Sequence, residues 1–210
     1  MKPLSRRSML LLALGGAVAA PRAPRAQDAQ AVIAPINMLN NALLEVMKAG
    51  SGTPFVQRYR MLQPVVRRVF DLQEILRVSV GPAWDTIPTQ MKGLLFDEFE
   101  RYTVASYVAN FNSYNGQSFQ VSPTVRALGN GQVVVNSRLL RTDGSSLALD
   151  YVMRRGPAGW QAVDVLTDGS ISRVAVQRSD FRGLLSSGGT PALVAGLEHE
   201  VANLSSGTEG

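Results

Sequence analysis

Hydrophobic residues in the first half of the chain recur every three or four positions, which is the spacing of amphipathic helices. The pattern predicts a helix over 29–48, with Pro35 tolerated near its first turn. A Gly-Ser-Gly segment at 50–52 ends this helix, and Thr53 and Pro54 begin another as its N-cap and first helical residue. The N-terminal half of the chain is therefore expected to be helical.

Two further helices follow in this half. Asp71, with Glu74 three residues later, forms a capping box that opens a short helix through Val78. The longest helix is predicted over 86–111, where the apolar residues lie on one broad face. Its charged residues fall mostly on the opposite face and are expected to be solvated. They are Asp97, Glu98, Glu100 and Arg101.

Beyond Tyr114 the pattern changes to alternation, and turn dipeptides such as Asn130-Gly131 separate the alternating runs. Because the connections are short, the strands are expected to form an antiparallel meander. Helices are then expected over 180–185 and 190–204, before a disordered tail over 205–210. The predicted strands are 117–128, 132–141, 147–155, 160–166 and 171–177.

These patterns together predict an α+β fold. A long antiparallel sheet of four or five strands exposes one apolar face, and helices must cover it. Because strands of about ten residues curl strongly, the helices cannot fill the concave side evenly. An apolar cavity is therefore expected between the two layers. We expect one domain over 27–204, with a helical part over 27–113, the sheet over 114–178 and C-terminal helices over 179–204.

Composition limits the chemistry that the chain can perform. Its 210 residues include no cysteine and one histidine, which excludes thiolate zinc sites, cysteine nucleophiles and multi-histidine metal sites. The formal net charge is +5, and a basic balance by itself suggests nucleic acid or an acidic membrane as a partner. The position of the charges changes that interpretation.

The N-terminus carries much of the charge excess. A basic start, an apolar run of 12 residues at 9–20 and a small-residue exit predict a cleaved signal peptide over 1–26. Arg6-Arg7 fits a twin-arginine signal, and an ordinary Sec signal fits equally well. Cleavage after Ala19 leaves 18 basic and 16 acidic residues, and cleavage after Ala26 leaves 16 of each. The mature protein is nearly neutral, so nucleic acid loses its support and a soluble periplasmic protein is expected.

Few side chains offer catalytic chemistry. His199 lies between two glutamates in the last predicted helix and is expected to be an exposed helix residue. Asp164 lies inside a predicted strand, where it faces either solvent or the mouth of a pocket. The sequence lacks a phosphate-binding glycine loop, a dinucleotide fingerprint and a Gly-x-Ser-x-Gly motif. We expect no cofactor, no metal and no catalytic residue.

The remaining positive charge is concentrated in the second and third helices. A solvated helix face explains it, and the alternative is docking to an acidic partner or to phosphate headgroups. The candidate docking residues are Arg58, Arg67 and Arg68. Arg60 and Arg77 complete this group of arginines.

Short motifs in a fixed order resemble the MlaC-like periplasmic lipid-binding proteins, also called the toluene-tolerance family. Phe70-Asp71 is similar to the start of one of their helices, and Gly81-Pro82-Ala83-Trp84 is similar to their Leu-Gly-x-x-Trp. The segment 159–165 resembles their Gly-Trp-x-Val-x-Asp-Val strand, and the ordered set spans 53–197. The other similar segments are 96–107, 114–116, 169–172 and 178–181.

The resemblance implies a soluble, non-enzymatic shuttle on an NTF2-like cone with added helices. It would carry a lipid between an outer-membrane complex and an inner-membrane ABC transporter. The residues before Arg178 lack the aromatic of the phospholipid members, and in this they resemble the HpnM branch that is associated with hopanoid biosynthesis. A hopanoid or a similar polycyclic lipid is therefore favoured, and a phospholipid stays open.

A lipid carrier needs an apolar wall, and ten residues are candidates for it. Two other functions stay open: an NTF2-like periplasmic enzyme that uses Asp164 on a small hydrophobic substrate, and a non-catalytic adaptor that docks through its arginines. The adaptor predicts a filled core without a cavity. The wall candidates are Phe70, Leu76, Trp84, Phe99, Tyr102, Tyr107, Val135, Tyr151, Val163 and Val165.

Overall fold

A computed structural model describes residues 26–207 of the chain. The predicted signal peptide, apart from Ala26, lies outside the described residues, as do residues 208–210 of the predicted tail. Four helices precede the sheet and one long helix follows it. In chain order they are α1 (Ala26–Ala49), α2 (Phe55–Val69), α3 (Leu72–Val80), α4 (Thr89–Asn110) and α5 (Arg173–Ser206), and a 3-10 helix (Gly81–Thr86) links α3 to α4.

The helix starts follow the local sequence with some shifts. The Asp71 side chain accepts a hydrogen bond of 3.1 Å from the Glu74 backbone N–H, as the predicted capping box requires. Pro54 stands at the N-cap of α2 in place of Thr53, whose hydroxyl instead donates to the Ala49 carbonyl. Pro35 lies inside α1, because this helix begins before the predicted start.

Five antiparallel strands form one sheet in the order in which they follow along the chain. The edge strand β1 bends where its register with β2 shifts between Val121 and Val125, around Pro123. The same pair of strands shifts register again between Ala127 and Gly129, and a third shift occurs in the pairing of β3 with β4, next to Val163. The strands are β1 (Ser118–Gly129), β2 (Gln132–Leu140), β3 (Ser146–Gly156), β4 (Gly159–Thr167) and β5 (Ile171–Ser172).

The predicted fifth strand over 171–177 is wrong beyond Ser172. The Ser172 hydroxyl accepts the Ala175 N–H at 2.9 Å, and the Asp164 carboxylate accepts the Val174 N–H at 3.1 Å. Both bonds satisfy N–H groups of a first helical turn, so the chain enters a helix at Arg173. Sequence alternation around Val174 resembles that of a strand, but the local capping groups decide the structure.

The helical segment α5 is divided near the predicted break, but its first part begins earlier than predicted. It begins at Arg173 instead of Asp180, and its backbone leaves helical geometry at Gly188 and Gly189. Gly189 has a φ of +68°, a conformation that glycine adopts without strain. A Cβ on Gly196 would lie 2.8 Å from Leu184, so the two segments pack closely against each other.

All five α-helices form a common core with the inner face of the sheet. Both parts of α5 contribute to it, Phe181 from the first and Leu193 from the second. Tyr151 on β3 and Phe99 on α4 are its largest fully buried side chains. Helix α1 contacts the sheet directly, whereas α4 packs mainly on α2, α3 and α5. This difference leaves α4 raised above the strands that it covers.

Two predictions about α4 are wrong. It has 22 residues, so it is shorter than α1, which has 24, and its acidic residues are not all solvated. Glu98 and Glu100 are buried, and each is paired with an exposed arginine. Glu100 accepts hydrogen bonds from Arg67 at 2.7 Å and from Gln63, which links α2 to α4. The cross-helix partners of Glu100, and Arg101 on the same helix for Glu98, compensate the burial of carboxylates that helical periodicity alone places in water.

Arg58 does not lie on a solvated helix face, as the sequence suggested. Its guanidinium is buried and donates to the Thr53 carbonyl at 3.1 Å and to the Val108 carbonyl at 3.2 Å. Val108 is near the C-terminus of α4, where carbonyl groups lack helical partners and favour a cation. Arg58 therefore fixes the end of α4 to the start of α2.

We expect Arg58→Ala to lower the free energy of unfolding by about 3 kcal/mol, because two charge-assisted hydrogen bonds are lost. Urea unfolding followed by circular dichroism measures this change. The matched control is Arg60→Ala on the same helix, whose side chain is exposed. Equal unfolding midpoints for the two variants would contradict the structural role of Arg58.

Candidate functional site

A cavity of about 500 Å³ lies between α4 and the inner face of the sheet. This volume is within the range of small-molecule sites, which is about 300–1,000 Å³. Helix α3 and the first turns of α5 complete its walls. Its apolar and aromatic lining residues are Phe70, Leu72, Ile75, Phe99, Tyr102, Tyr107, Phe111, Leu139, Leu147, Leu149, Val165 and Val174.

A row of aromatic rings follows one side of this cavity. Phe70 and Tyr107 have ring centroids 5.6 Å apart, and Tyr107 stacks on Phe111 at 6.0 Å with an interplanar angle of 17°. Phe111 in turn contacts Phe119 of β1 at 6.1 Å. The row reaches from the end of α2 to the first strand. It offers a stiff apolar surface because aromatic rings have few rotatable bonds.

Two buried phenols stay neutral in this environment. Burial raises the pKa of the Tyr107 hydroxyl, and the positive charge of Arg173 opposes this shift. Burial also raises the pKa of Tyr151 well above its ordinary value, with a smaller contribution from Tyr107. The Tyr151 hydroxyl has no hydrogen-bond partner within the described part of the chain. Neither phenol adds charge to the apolar interior.

The structure brings five of the ten predicted wall residues to the cavity. They are Phe70, Phe99, Tyr102, Tyr107 and Val165. The other five lie elsewhere. Tyr151 and Val135 face each other on neighbouring strands and are fully buried in the core, and Leu76 is also core. Trp84 lies in the 3-10 helix beside the Lys92 ammonium, and Val163 is the unpaired residue at the register shift of β4.

Several lining residues were not predicted from the sequence. Thr103, Ser106 and Asn110 lie on the same face of α4 as the predicted aromatics, at helical spacing from Phe99 and Tyr102. Helical periodicity places these three residues on the face of α4 that lines the cavity, but their polarity predicts exposure to solvent. The other lining residues that were missed are Leu72, Ile75, Phe111, Leu139, Arg141, Leu147, Leu149, Thr167, Arg173, Val174 and Gln177. Asp164 also lines the cavity, which is one of the two positions that the sequence left open for it.

The charged end of the cavity lies where β2 and β4 end and α5 begins. Asn110, Arg141 and Arg173 line the cavity there and are exposed to solvent, so we call them the rim. Among the described residues, neither rim arginine forms an ion pair with a carboxylate. The rim is therefore polar and cationic. The rest of the lining is mostly apolar, with five polar residues among it, namely Thr103, Ser106, Asp164, Thr167 and Gln177.

Asp164 lines the cavity, but its carboxylate is engaged in structure. One oxygen accepts the backbone N–H groups of Val165 at 2.7 Å and Val174 at 3.1 Å. The other accepts the hydroxyl of Ser172 at 2.5 Å. These bonds tie the start of α5 to β4 and explain why a carboxylate occupies a strand position.

The predicted docking arginines do not form one surface. Arg58 is buried, and Arg67 is exposed but bonded to Glu100. Arg68 is exposed, and its backbone carbonyl accepts a hydrogen bond from Gln161. Arg77 pairs with Glu74 and lowers the pKa of that carboxyl through a hydrogen bond. His199 is exposed on α5, as expected.

Residues 26–207 offer neither a metal-binding cluster nor a membrane-spanning helix. No group of three or more histidine, aspartate or glutamate side chains is arranged to bind a metal ion in this part of the chain. None of the helices within it has the length and apolar character needed to cross a bilayer.

Comparison with known proteins gives three results. A family model described as MlaC protein matches residues 37–199 of the chain. A search of curated proteins finds no match. Among solved structures, a phospholipid-binding protein from Ralstonia solanacearum, in complex with a phospholipid, aligns with a TM-score of 0.71. The two chains are 20% identical, and the alignment covers 82% of this chain and 98% of that one. The predicted α+β fold is confirmed.

We expect Asp164→Asn to lower the free energy of unfolding by about 1–3 kcal/mol, because a half-buried acceptor loses its charge and one of its two oxygens. Thermal unfolding measures the effect. Asp168→Asn is the matched control, since Asp168 is exposed in a turn with a φ of +51° that asparagine also tolerates. An Asp164→Asn variant as stable as the control would show that the carboxylate does not hold α5.

Proposed function

The chain belongs to the MlaC protein family, and we propose that it is a lipid carrier that encloses the hydrophobic part of its lipid in the cavity under α4. The observation that carries this proposal is the combination of an apolar, partly aromatic interior with a polar rim. A lipid has the same division between tail and headgroup. The tail would lie along the row from Phe70 to Phe111, and the headgroup would lie at the rim.

The energy of lipid transfer explains why such a carrier needs a cavity but no catalytic group. Exposing an acyl or polycyclic tail to water costs roughly 0.8 kcal/mol per CH₂ group, which exceeds about 10 kcal/mol for a tail of about sixteen carbons. A protein that encloses most of this surface removes most of that cost. The walls that α3, α4, α5 and the sheet form around the cavity support this role.

We place this carrier in the periplasm, after export and cleavage of the signal peptide. It would exchange its lipid with an inner-membrane ABC transporter and an outer-membrane complex. Support for this placement comes from the family and from the basic, apolar and small-residue pattern of segment 1–26. The wall residues proposed to touch the lipid are Phe70, Phe99, Tyr102, Tyr107 and Val165.

Two lipid classes are candidates for the cargo. The non-aromatic segment before Arg178 favours a hopanoid or a similar polycyclic lipid. The Ralstonia solanacearum protein, which has the same fold, is in complex with a phospholipid, and this favours a phospholipid. The aromatic row is compatible with both, because a flat ring surface packs against rigid rings and against extended chains.

The two alternative functions gain less support. The enzyme hypothesis needs a free Asp164 carboxylate, but both of its oxygens accept hydrogen bonds that hold α5. The adaptor hypothesis predicts a filled core, and the cavity contradicts it. Identification of an unchanged lipid in the purified protein separates the carrier from both alternatives.

The test is native mass spectrometry and lipid extraction of protein purified from its own host. We expect one lipid per chain, with an intact mass. Ser106→Trp places a large ring in the cavity and should abolish lipid recovery while the protein stays folded. Ser179→Trp is the matched control, because Ser179 is an exposed helix residue that does not line the cavity. No lipid in the wild type, together with no uptake of labelled lipid, would refute the carrier.

A further inference from the structure

The cavity interior and its rim differ in charge, and this difference bears on the headgroup of the cargo. Arg141 follows the end of β2, and Arg173 opens α5 directly after β5. Three strand steps of about 4.8 Å separate β2 from β5, so the two arginines stand on opposite flanks of the rim. Both line the cavity and both are exposed.

The contacts that Arg141 and Arg173 make within the protein do not account for their positive charges at the rim. The Arg141 guanidinium donates a hydrogen bond to the Ser145 hydroxyl, at 3.3 Å, and forms no ion pair within the described part of the chain. The nearest acid, Asp143, accepts the Ser145 backbone N–H at 2.8 Å, and its pKa is lowered mainly by Ser145 and only secondarily by Arg141. Arg173 forms no ion pair with any described carboxylate. Their charges are thus available to a ligand.

The position of Arg173 is unfavourable for a cation in an empty protein. It occupies the first residue of α5, where the helix dipole disfavours positive charge, and the first turn contains no acidic residue. Arg173 lines the cavity together with Tyr107, so this cation lies beside the proposed lipid path. The one carboxylate of the lining, Asp164, is already engaged by Ser172 and by backbone N–H groups.

We infer that Arg141 and Arg173 form a headgroup site that selects lipids with an anionic phosphate group over neutral lipids with the same tails. Guanidinium groups bind phosphate oxygens with charge-assisted hydrogen bonds, which a hydroxyl headgroup does not replace. This inference rests on the proposed carrier function. It applies to an acyl and to a polycyclic tail, because the rim contacts the headgroup and not the tail.

The experiment compares two lipids that share their tails. Delipidated full-length mature protein is incubated with dioleoylphosphatidylcholine vesicles that contain equal amounts of dioleoylphosphatidylglycerol and dioleoylglycerol. The protein is then separated from the vesicles, and its lipid is quantified by mass spectrometry. We expect the wild type to recover phosphatidylglycerol in preference to dioleoylglycerol.

The double variant Arg141→Gln, Arg173→Gln should lower the recovered ratio of phosphatidylglycerol to dioleoylglycerol by about tenfold, or about threefold for each exposed charge. The matched control is Arg126→Gln with Arg155→Gln, which changes the net charge equally. These two arginines are exposed, lie towards the opposite end of the sheet and do not line the cavity. The control should keep the wild-type ratio.

The outcomes distinguish the two proposals. Uptake of both lipids at a ratio that neither double variant changes overturns the headgroup site but leaves the carrier intact. No uptake of any lipid by the wild type refutes the carrier itself. Calorimetry with inorganic phosphate separates the two sources of phosphate, and we expect no binding without a tail. Binding of free phosphate that is lost in the Arg141→Gln, Arg173→Gln variant would overturn the assignment to a lipid headgroup.

Discussion

The cavity exists because α4 is held by other helices and does not rest on the strands that it covers. Arg58 fixes the C-terminal end of α4 to the start of α2, and Glu100 connects its middle to Arg67. Leu184 packs closely on Gly196, which joins the two parts of α5. Helix α4 packs on α5 as well. Polar contacts at the outside of the helical layer thereby maintain an apolar space inside it.

Much of the fold follows from patterns that are local in the sequence. Helical spacing, the Asp71 capping box and the turn dipeptides predict most elements to within a few residues. The fifth strand was mispredicted because Ser172 and Asp164 cap a helix there, and the role of Asp164 depends on a partner ten residues away. The burial of Arg58 and Glu100 could not be predicted either, since their partners lie on other helices.

The candidate site shows the same limit. Aromatic residues that motifs single out reach the cavity where a helix presents them, as Tyr102 and Tyr107 do. On the strands the face that points inward depends on register, and the shift beside Val163 moves that residue out of the alternation. Polar lining residues such as Ser106 carry no hydrophobic signal. The rim arginines could not be identified from the sequence, because Arg141 follows β2 and Arg173 follows β5, and only the tertiary structure brings both to one cavity.

The bend in β1 has a consequence for how copies of the protein meet. An edge strand of twelve residues presents unpaired backbone groups, which can template the addition of a strand from another chain. Pro123 lacks a backbone N–H, and the register shift around it interrupts the regular row of donors and acceptors. The longest edge of the sheet is therefore ill-suited to the strand-by-strand assembly of copies into fibres.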